Sequence, residues 1–512
     1  MEFETDEQLP TFEPYVATSF DHSMPRIHLA AFLTFSLDEP SKAIPILEDG
    51  VERLVKYLPF LTGNVACSTR VPSKENVIEI QPPTKQFLLQ HPMFRIKYHE
   101  QPIFSRYSRH VVAQDIFLNE DIIPIPFALA EDYPSPIFRF QVNVMPDGII
   151  FCYNFHHTAI DGIGIAVIMD ALAALCRSPN AGPEIIQTNP LKEQESRLKI
   201  FEAGSALSIK GHSQNENFAS LCEPTLSPIP YIPASRKFVL DADKIAKLRT
   251  ECATILNNQS NPHASKISSN TILTALIWLC TIRAIIKTEP TPTPTKSCAV
   301  LVAEARSKLR PKLPLSYIGN AVIFHDVYTP LAAIISSTTG SNNNTHTTPR
   351  LDHGDIKLLA ELASTVHTAL GSISDENIRE FISASAASDN WAPSTRPRDV
   401  IVSSLRSIPT YQLDFGPVLG PVRDFDLPEH RVPGQAWIFP ARYKGRSSPW
   451  EVRLTLEPTV MANVDKDRLM MWLGPREASK VNRVYMKEIR LSRGPRKDQS
   501  RKVDFDLLHC IW

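Results

Sequence analysis

The feature that most constrains the fold is the run from residue 137 to 177. Two stretches rich in aromatic and β-branched residues, 137–144 and 149–155, flank Met145-Pro146-Asp147-Gly148, the pattern of a β-hairpin. The second stretch delivers the chain to His156. After a short loop, residues 163–177 read as a buried helix, stopped by Ser178-Pro179-Asn180. Strand, turn, strand, tight loop and helix in succession point to an α/β chain in which helices cover mixed sheets.

The flanking sequence follows the same grammar. Residues 26–37 are rich in strand formers and end at Asp38-Glu39-Pro40. A helix is expected from Ser41 to Tyr57, because Ala43, Ile46, Leu47, Leu54 and Leu58 fall on one helical face; Leu58-Pro59-Phe60-Leu61-Thr62-Gly63 closes it. Between 178 and 236 periodicity fades and prolines collect. The pattern restarts with a strand at Lys237–Leu240, a helix from Asp241 to Cys252 and a second helix from Asn270 to Lys287. At 512 residues the chain exceeds one ordinary domain. We therefore expect an N-terminal domain over 1–220, a crossover linker over 221–236, a C-terminal domain over 237–474 and a basic extension over 475–512. The alternating Thr-Pro stretch near 288–295 reads as a stiff connection and 336–348 as a loop.

Charge and cysteine usage narrow the partners. With 54 basic and 55 acidic residues, nothing global attracts nucleic acid or an anionic membrane. The segment 475–502 holds ten basic and three acidic residues, but no aromatic ladder accompanies them, so it reads as a solvated helix. The acidic start lacks the basic-then-apolar order of a secretory peptide. The apolar runs Gly162–Cys176 and Ile272–Ile282 are shorter than the roughly 18 residues of a membrane span. Eight cysteines without CxxC spacing read as free thiols in a reducing compartment. The expectation is a cytoplasmic monomer with no membrane or nucleic-acid partner and no permanently bound cofactor.

The chemistry concentrates in His156-His157-Thr158-Ala159-Ile160-Asp161-Gly162. A histidine at a strand end facing a cleft can serve as general base near neutral pH. Adjacent histidines on an extended segment face opposite ways, so a shared metal ion is not expected. Gly162 would permit backbone angles that a side chain forbids, and the small Gly164 eases packing at the helix start. Asp161 is not assumed to relay to the imidazole, since four residues of tight loop can turn it away.

This HHxxxDG pattern resembles the signature of CoA-dependent acyltransferases of the BAHD type, especially the fungal trichothecene O-acetyltransferase-like branch. Further stretches agree in order: Asp21-His22-Ser23-Met24-Pro25-Arg26, Tyr57–Gly63, Ser268–Trp278, and Ala303-Glu304-Ala305-Arg306 through Tyr317-Ile318-Gly319-Asn320. Asp414-Phe415-Gly416-Pro417-Val418-Leu419-Gly420 is similar to the family's DFGWG motif. Departures are Pro417 for the tryptophan, Glu304 at the first acidic position of DxRxR and Lys308 at its second arginine.

The resemblance implies two chloramphenicol-acetyltransferase-like domains with an active-site channel between them, open to acyl-CoA from one side and a small-molecule acceptor from the other. It implies His157 as the catalytic base, and Asp161 as a structural carboxylate paired with Arg306, with Gly162 beside it. Ser403 and Ser404 would line the channel as candidate oxyanion donors, while Asp414 and Gly416 would shape the loop on the acyl-CoA side. The activity implied is transfer of an acyl group, acetyl above all, from acyl-CoA to a hydroxyl of a terpenoid, alkaloid or polyketide. Two rivals share the fold: a free-standing condensation domain, which needs a carrier-protein donor, and a non-catalytic binding protein.

Overall fold

The computed structural model describes residues 9–105, 108–112, 120–125, 133–205, 231–261, 264–288, 295–339, 351–393, 398–428, 432–445 and 447–474. Most of the crossover, most of the 288–295 connection, the 340–348 part of the proposed loop and all of the basic extension lie outside these residues.

The first sheet has five strands. We label them β1 (His28–Ser36), β2 (Phe94–Tyr98), β3 (Phe138–Met145), β4 (Gly148–His156) and β9 (Asp424–Asp426), in the spatial order β9-β1-β4-β3-β2. The hairpin is β3–β4, with Gly148 opposite Met145 and Phe155 opposite Phe138. Asp147 closes its turn region by accepting from the Ile103 and Phe104 N–H groups at 2.7 and 3.1 Å. Strand β4 is buried along its length because both faces are covered: Ile149, Phe151, Tyr153 and Phe155 join the main core, while Ile150 and Cys152 join a smaller cluster behind the sheet. Helices α1 (Ile44–Tyr57) and α2 (Gly162–Arg177) pack together over the main core. Helix α1 begins later than its periodicity predicts, because Pro40–Ala43 forms a 3-10 turn first.

The second sheet has six strands: β5 (Ala234–Leu240), β6 (Lys296–Glu304), β7 (Val322–Pro330), β8 (Val400–Ser404), β10 (Gln435–Ile438) and β11 (Trp450–Leu456). Their order is β5-β11-β10-β8-β6-β7, with β8 parallel to both β6 and β10. Both large sheets are therefore mixed, since β2 also runs parallel to β3. The core here is built around the helix Ser269–Thr288. This helix is long and apolar enough by length and composition to cross a membrane, more than its apolar run of 272–282 implies. Of its most apolar 18-residue window, 83% of the residues are buried within the protein, and its Arg283 ion-pairs with buried Asp355. The helix begun by Asp241 runs over Ala242–Asn258, beyond the expected Cys252, because Leu256 adds a further buried turn.

One segment crosses the division read from sequence. Strand β9 pairs with β1 in the first sheet, and Leu413, Phe415, Leu419, Val422, Phe425 and Leu427 belong to the first core. The second half of the chain thus completes the first layer. A third apolar cluster joins the halves, with Phe20 and Ile200 packed among Ala305, Leu313, Tyr317 and Ile382.

Candidate active site

The site is assembled where β4 hands the chain to α2. Residues 153, 155 and 157 share one side of the strand, and Tyr153, Phe155 and His157 all line a cavity of about 250 Å³. His156 has the opposite phase. It is fully buried, its ring edge-on to His28 with centroids 5.0 Å apart. Burial, then the neighbouring His28, holds its imidazole neutral, far below its ordinary pKa.

His157 is half-buried at the cavity wall. Its Nδ1 lies 3.2 Å from the Ile160 carbonyl oxygen, a geometry that places the proton on Nδ1 and leaves Nε2 as the basic nitrogen. Burial lowers the imidazole pKa below 6.5, partly opposed by the Ile160 hydrogen bond and the Asp161 charge. The ring is therefore neutral at pH 7 and ready to accept a proton.

Asp161 caps α2, accepting at Oδ1 from the N–H groups of Ile163 (3.0 Å) and Gly164 (2.9 Å). The same carboxylate meets Arg306 in a two-pronged pair, Nη1 to Oδ2 at 2.8 Å and Nη2 to Oδ1 at 2.9 Å, and Oδ2 accepts from the Ala321 N–H at 3.0 Å. Arg306 is fully buried and also donates to the carbonyls of Tyr317 and Gly319. Burial disfavours its charge, but Asp161 overcomes this and holds the guanidinium pKa above its usual value. A charge so placed cannot be stripped of its partner cheaply.

Gly162 differs from its expected role. Its φ is not positive, and an added Cβ would rest 3.5 Å from Leu405 Cδ2, an ordinary contact. What glycine provides is space, since the residue lines the cavity. Gly164 carries the close approach instead: a Cβ there would overlap the Ile318 carbonyl oxygen.

Ser403 and Ser404, at the end of β8, line the same cavity. Ser404 Oγ donates to Asn270 Oδ1 at 2.8 Å. Asp414 and Gly416 do not line it. They sit at the other end of α2, where the Asp414 carbonyl accepts from Arg177 Nη1 at 3.0 Å and a Cβ on Gly416 would lie 3.0 Å from Arg177 Cα. The helix has 16 residues, so this end is about 24 Å from Asp161 at 1.5 Å per residue. Leu413, just before them, does line the cavity, while Phe415 between them is core, edge-on to Phe35 at 5.2 Å, and its neighbours form the turn that lets it enter.

The remaining walls escape sequence reading. From the first sheet come Leu29, Ala31 and Leu33; from the second come Val302, Glu304, Val322 and Phe324, with Trp437 and the 405–410 turn closing the space. Strand alternation could have found the first set once His157 fixed which face was inward. Glu304 accepts from Ser307 N and Oγ (3.1 and 2.7 Å), and Lys308 donates to the Leu370 and Ile373 carbonyls. Among the described residues no three His, Cys, Asp or Glu side chains gather as a metal-ligand set.

Comparison with known proteins agrees with this arrangement. The Transferase family model matches residues 119–471, and the trichothecene 3-O-acetyltransferase-like N-terminal domain matches 28–176. The chain belongs to the Transferase family. It is an acyltransferase of the BAHD, trichothecene O-acetyltransferase-like kind. Among its relatives, the communesin N16 acyltransferase of Penicillium expansum is 32% identical over 474 residues, covering 90% of this chain and 98% of the relative. The fumigaclavine B O-acetyltransferase of Aspergillus fumigatus is 27% identical, covering 92% and 99%. The crystal structure of F. sporotrichioides TRI101 with coenzyme A and T-2 superposes with a TM-score of 0.67 at 16% identity, covering 90% of this chain and 98% of that one. Vinorine synthase gives 0.61 at 15%, covering 90% and 94%. These neighbours are two-domain acyltransferases with the chloramphenicol-acetyltransferase-like fold, which this chain shares.

Proposed function

We propose that this acyltransferase moves an acyl group, acetyl in the first instance, from acyl-CoA to a hydroxyl of a small apolar secondary metabolite, with His157 as general base. The observation that carries the reading is His157 itself: a neutral imidazole at the wall of a largely apolar cavity, its Nδ1 tied to the Ile160 carbonyl. An alcohol is a weak nucleophile near neutral pH. Nε2 of His157 takes its proton as the oxygen attacks the thioester carbon, so donor and acceptor react in one ternary complex without a covalent enzyme intermediate. The tetrahedral oxyanion collapses by expelling the CoA thiolate, which the imidazolium proton neutralises. General-base help supplies about 10²–10⁴-fold, and positioning with oxyanion stabilisation supplies the rest. Ser403 is the better candidate oxyanion donor, because Ser404 already donates to Asn270.

Asp161 and Arg306 hold the loop and take no part in proton transfer. One relative is named for acylation of communesin at N16 and another for O-acetylation of fumigaclavine B, which supports a small-molecule acceptor. The enzyme acts as a monomer in the cytoplasm, where acyl-CoA is supplied; the free state of Cys67, Cys152, Cys176, Cys252, Cys280 and Cys298 supports a reducing compartment.

The test is metabolite mass spectrometry of a producer carrying wild-type protein or His157→Ala. Loss of one compound, with a precursor accumulating one acyl group lighter, supports the reading. An unchanged profile with both proteins expressed favours the non-catalytic alternative.

A further inference from the structure

His157 is held at three points. Its N–H donates to the Ile27 carbonyl at 2.9 Å, and its ring is tied to Ile160; both partners belong to the first half of the chain. The third point comes from the second half. Asn320 Nδ2 lies 3.0 Å from the His157 carbonyl oxygen and 2.9 Å from that of Thr158.

The same amide nitrogen also donates to Asp21 Oδ1 at 2.9 Å, and the Asn320 backbone N–H reaches that oxygen at 3.3 Å. Three oxygens thus converge on one NH₂ group, which has two protons to share among them. Among the described residues its Oδ1 is buried with no hydrogen-bond partner. Flipping the amide would place that oxygen against three others, so the orientation follows from the network. An orphaned buried acceptor is a cost that calls for a reason; here it accompanies a donor directed at the two carbonyls that follow the imidazole.

Asp21, which with Thr18 forms the capping box of the short helix Ser19–His22, anchors this amide. Its Oδ2 accepts from Thr18 N and Oγ1, both at 2.7 Å, so the carboxylate receives four hydrogen bonds. It is buried, and burial raises its carboxyl pKa to about 6 against the pull of Asn320 and Thr18. Costly buried carboxylates gather at functional sites.

We propose that Asn320, oriented by Asp21, is a positioning residue for His157. It is fully buried and does not line the cavity, so it acts through the His157–Thr158 backbone and not on substrate. The proposal rests on the general-base reading of His157.

The test compares full-length Asn320→Ala, Asn320→Asp and the exchanged pair Asp21→Asn/Asn320→Asp, using acetyl-CoA and the hydroxyl compound recovered as above. Asn320→Ala is expected to lower kcat about 10²-fold, the order that misplacement of about 1 Å causes. KM for acetyl-CoA should stay within about twofold, since no binding contact is lost. In protein labelled with ¹⁵N-histidine, the His157 signal should move from the Nδ1-protonated pattern. The exchanged pair restores a bond between 21 and 320 but turns an acceptor toward the His157 and Thr158 carbonyls. It should therefore regain melting temperature over Asn320→Asp without regaining kcat. Recovery of kcat together with melting temperature, or an Asn320→Ala protein with unaltered kcat and His157 signal, would overturn the proposal. If the wild type transfers no acyl group at all, the acyltransfer reading fails, while the His157 spectrum still tests the positioning.

Discussion

The two ends of helix α2 are both held by the second half of the chain, but by different physics. At the start, Asp161 caps the helix and pairs with buried Arg306. At the finish, the 414–420 turn docks on Cys176 and Arg177, using Gly416 at φ +91° and Gly420 at φ +70°. The turn is closed by the Gly420 N–H donating to the Gly416 carbonyl at 2.7 Å and pinned by Phe415 in the core. One end relies on paired charges removed from water, the other on backbone conformation and apolar packing. Only the charged end borders the cavity. Of the two motifs that mark the family in this sequence, one frames the chemistry and the other fastens the far end of the helix that carries it.

Breaking each end should therefore fail differently. Asp161→Ala strands the Arg306 charge and should cost about 3–5 kcal/mol, read as a fall in denaturation midpoint together with lost turnover. The double variant Asp161→Asn/Arg306→Gln should lose less than the sum of its singles, because neither leaves an unpaired charge. Gly416→Ala forces a side chain into a left-handed backbone against Arg177 Cα and should cost about 1–3 kcal/mol. Whatever protein remains folded should turn over at the wild-type kcat; a kcat loss out of proportion to the folded fraction would show that the far end also shapes the site.

Gly162→Ala sharpens the contrast from the other direction. Its Cβ meets only Leu405 and Ile408, at 3.5 and 3.8 Å, so stability should change by no more than about 0.5 kcal/mol. A methyl group in the cavity should nevertheless alter KM for the acceptor, and steady-state kinetics beside a melting curve would separate the two. The smallest effect is in pH. Burial holds the His157 imidazole below 6.5, and the active base is the neutral form, so kcat/KM should rise with pH through a midpoint below 6.5 and then level off. A midpoint above 6.5 would mean that the imidazolium, not the free base, is favoured by its surroundings.

Much of this arrangement is legible from local rules. Alternation along β4 separates His156 from His157 before any contact is known, whereas the capping of α2 by Asp161 appears only in the structure. The hairpin is equally local. Other parts are not. Strand β9 is three residues long, too short for a period, and its place beside β1 depends on a return of the chain from the second half. Asp414 and Gly416 reveal a turn, but nothing local says which end of α2 it meets. A glycine at 162 suggests a backbone role, whereas its φ is not positive and the residue lines the cavity. The Asn320–Asp21 bond spans 299 residues; both lie in stretches that carry the family resemblance, but nothing local says that they meet.

The most direct measurement of the central claim is single-turnover acyl transfer from radiolabelled acetyl-CoA to the recovered acceptor, for wild type and His157→Ala at equal folded concentration. The account predicts a loss of about 10²–10⁴-fold in the chemical step, with acetyl-CoA binding retained. Transfer by His157→Ala at the wild-type rate would contradict it, and would move the search for the base to another group in the cavity.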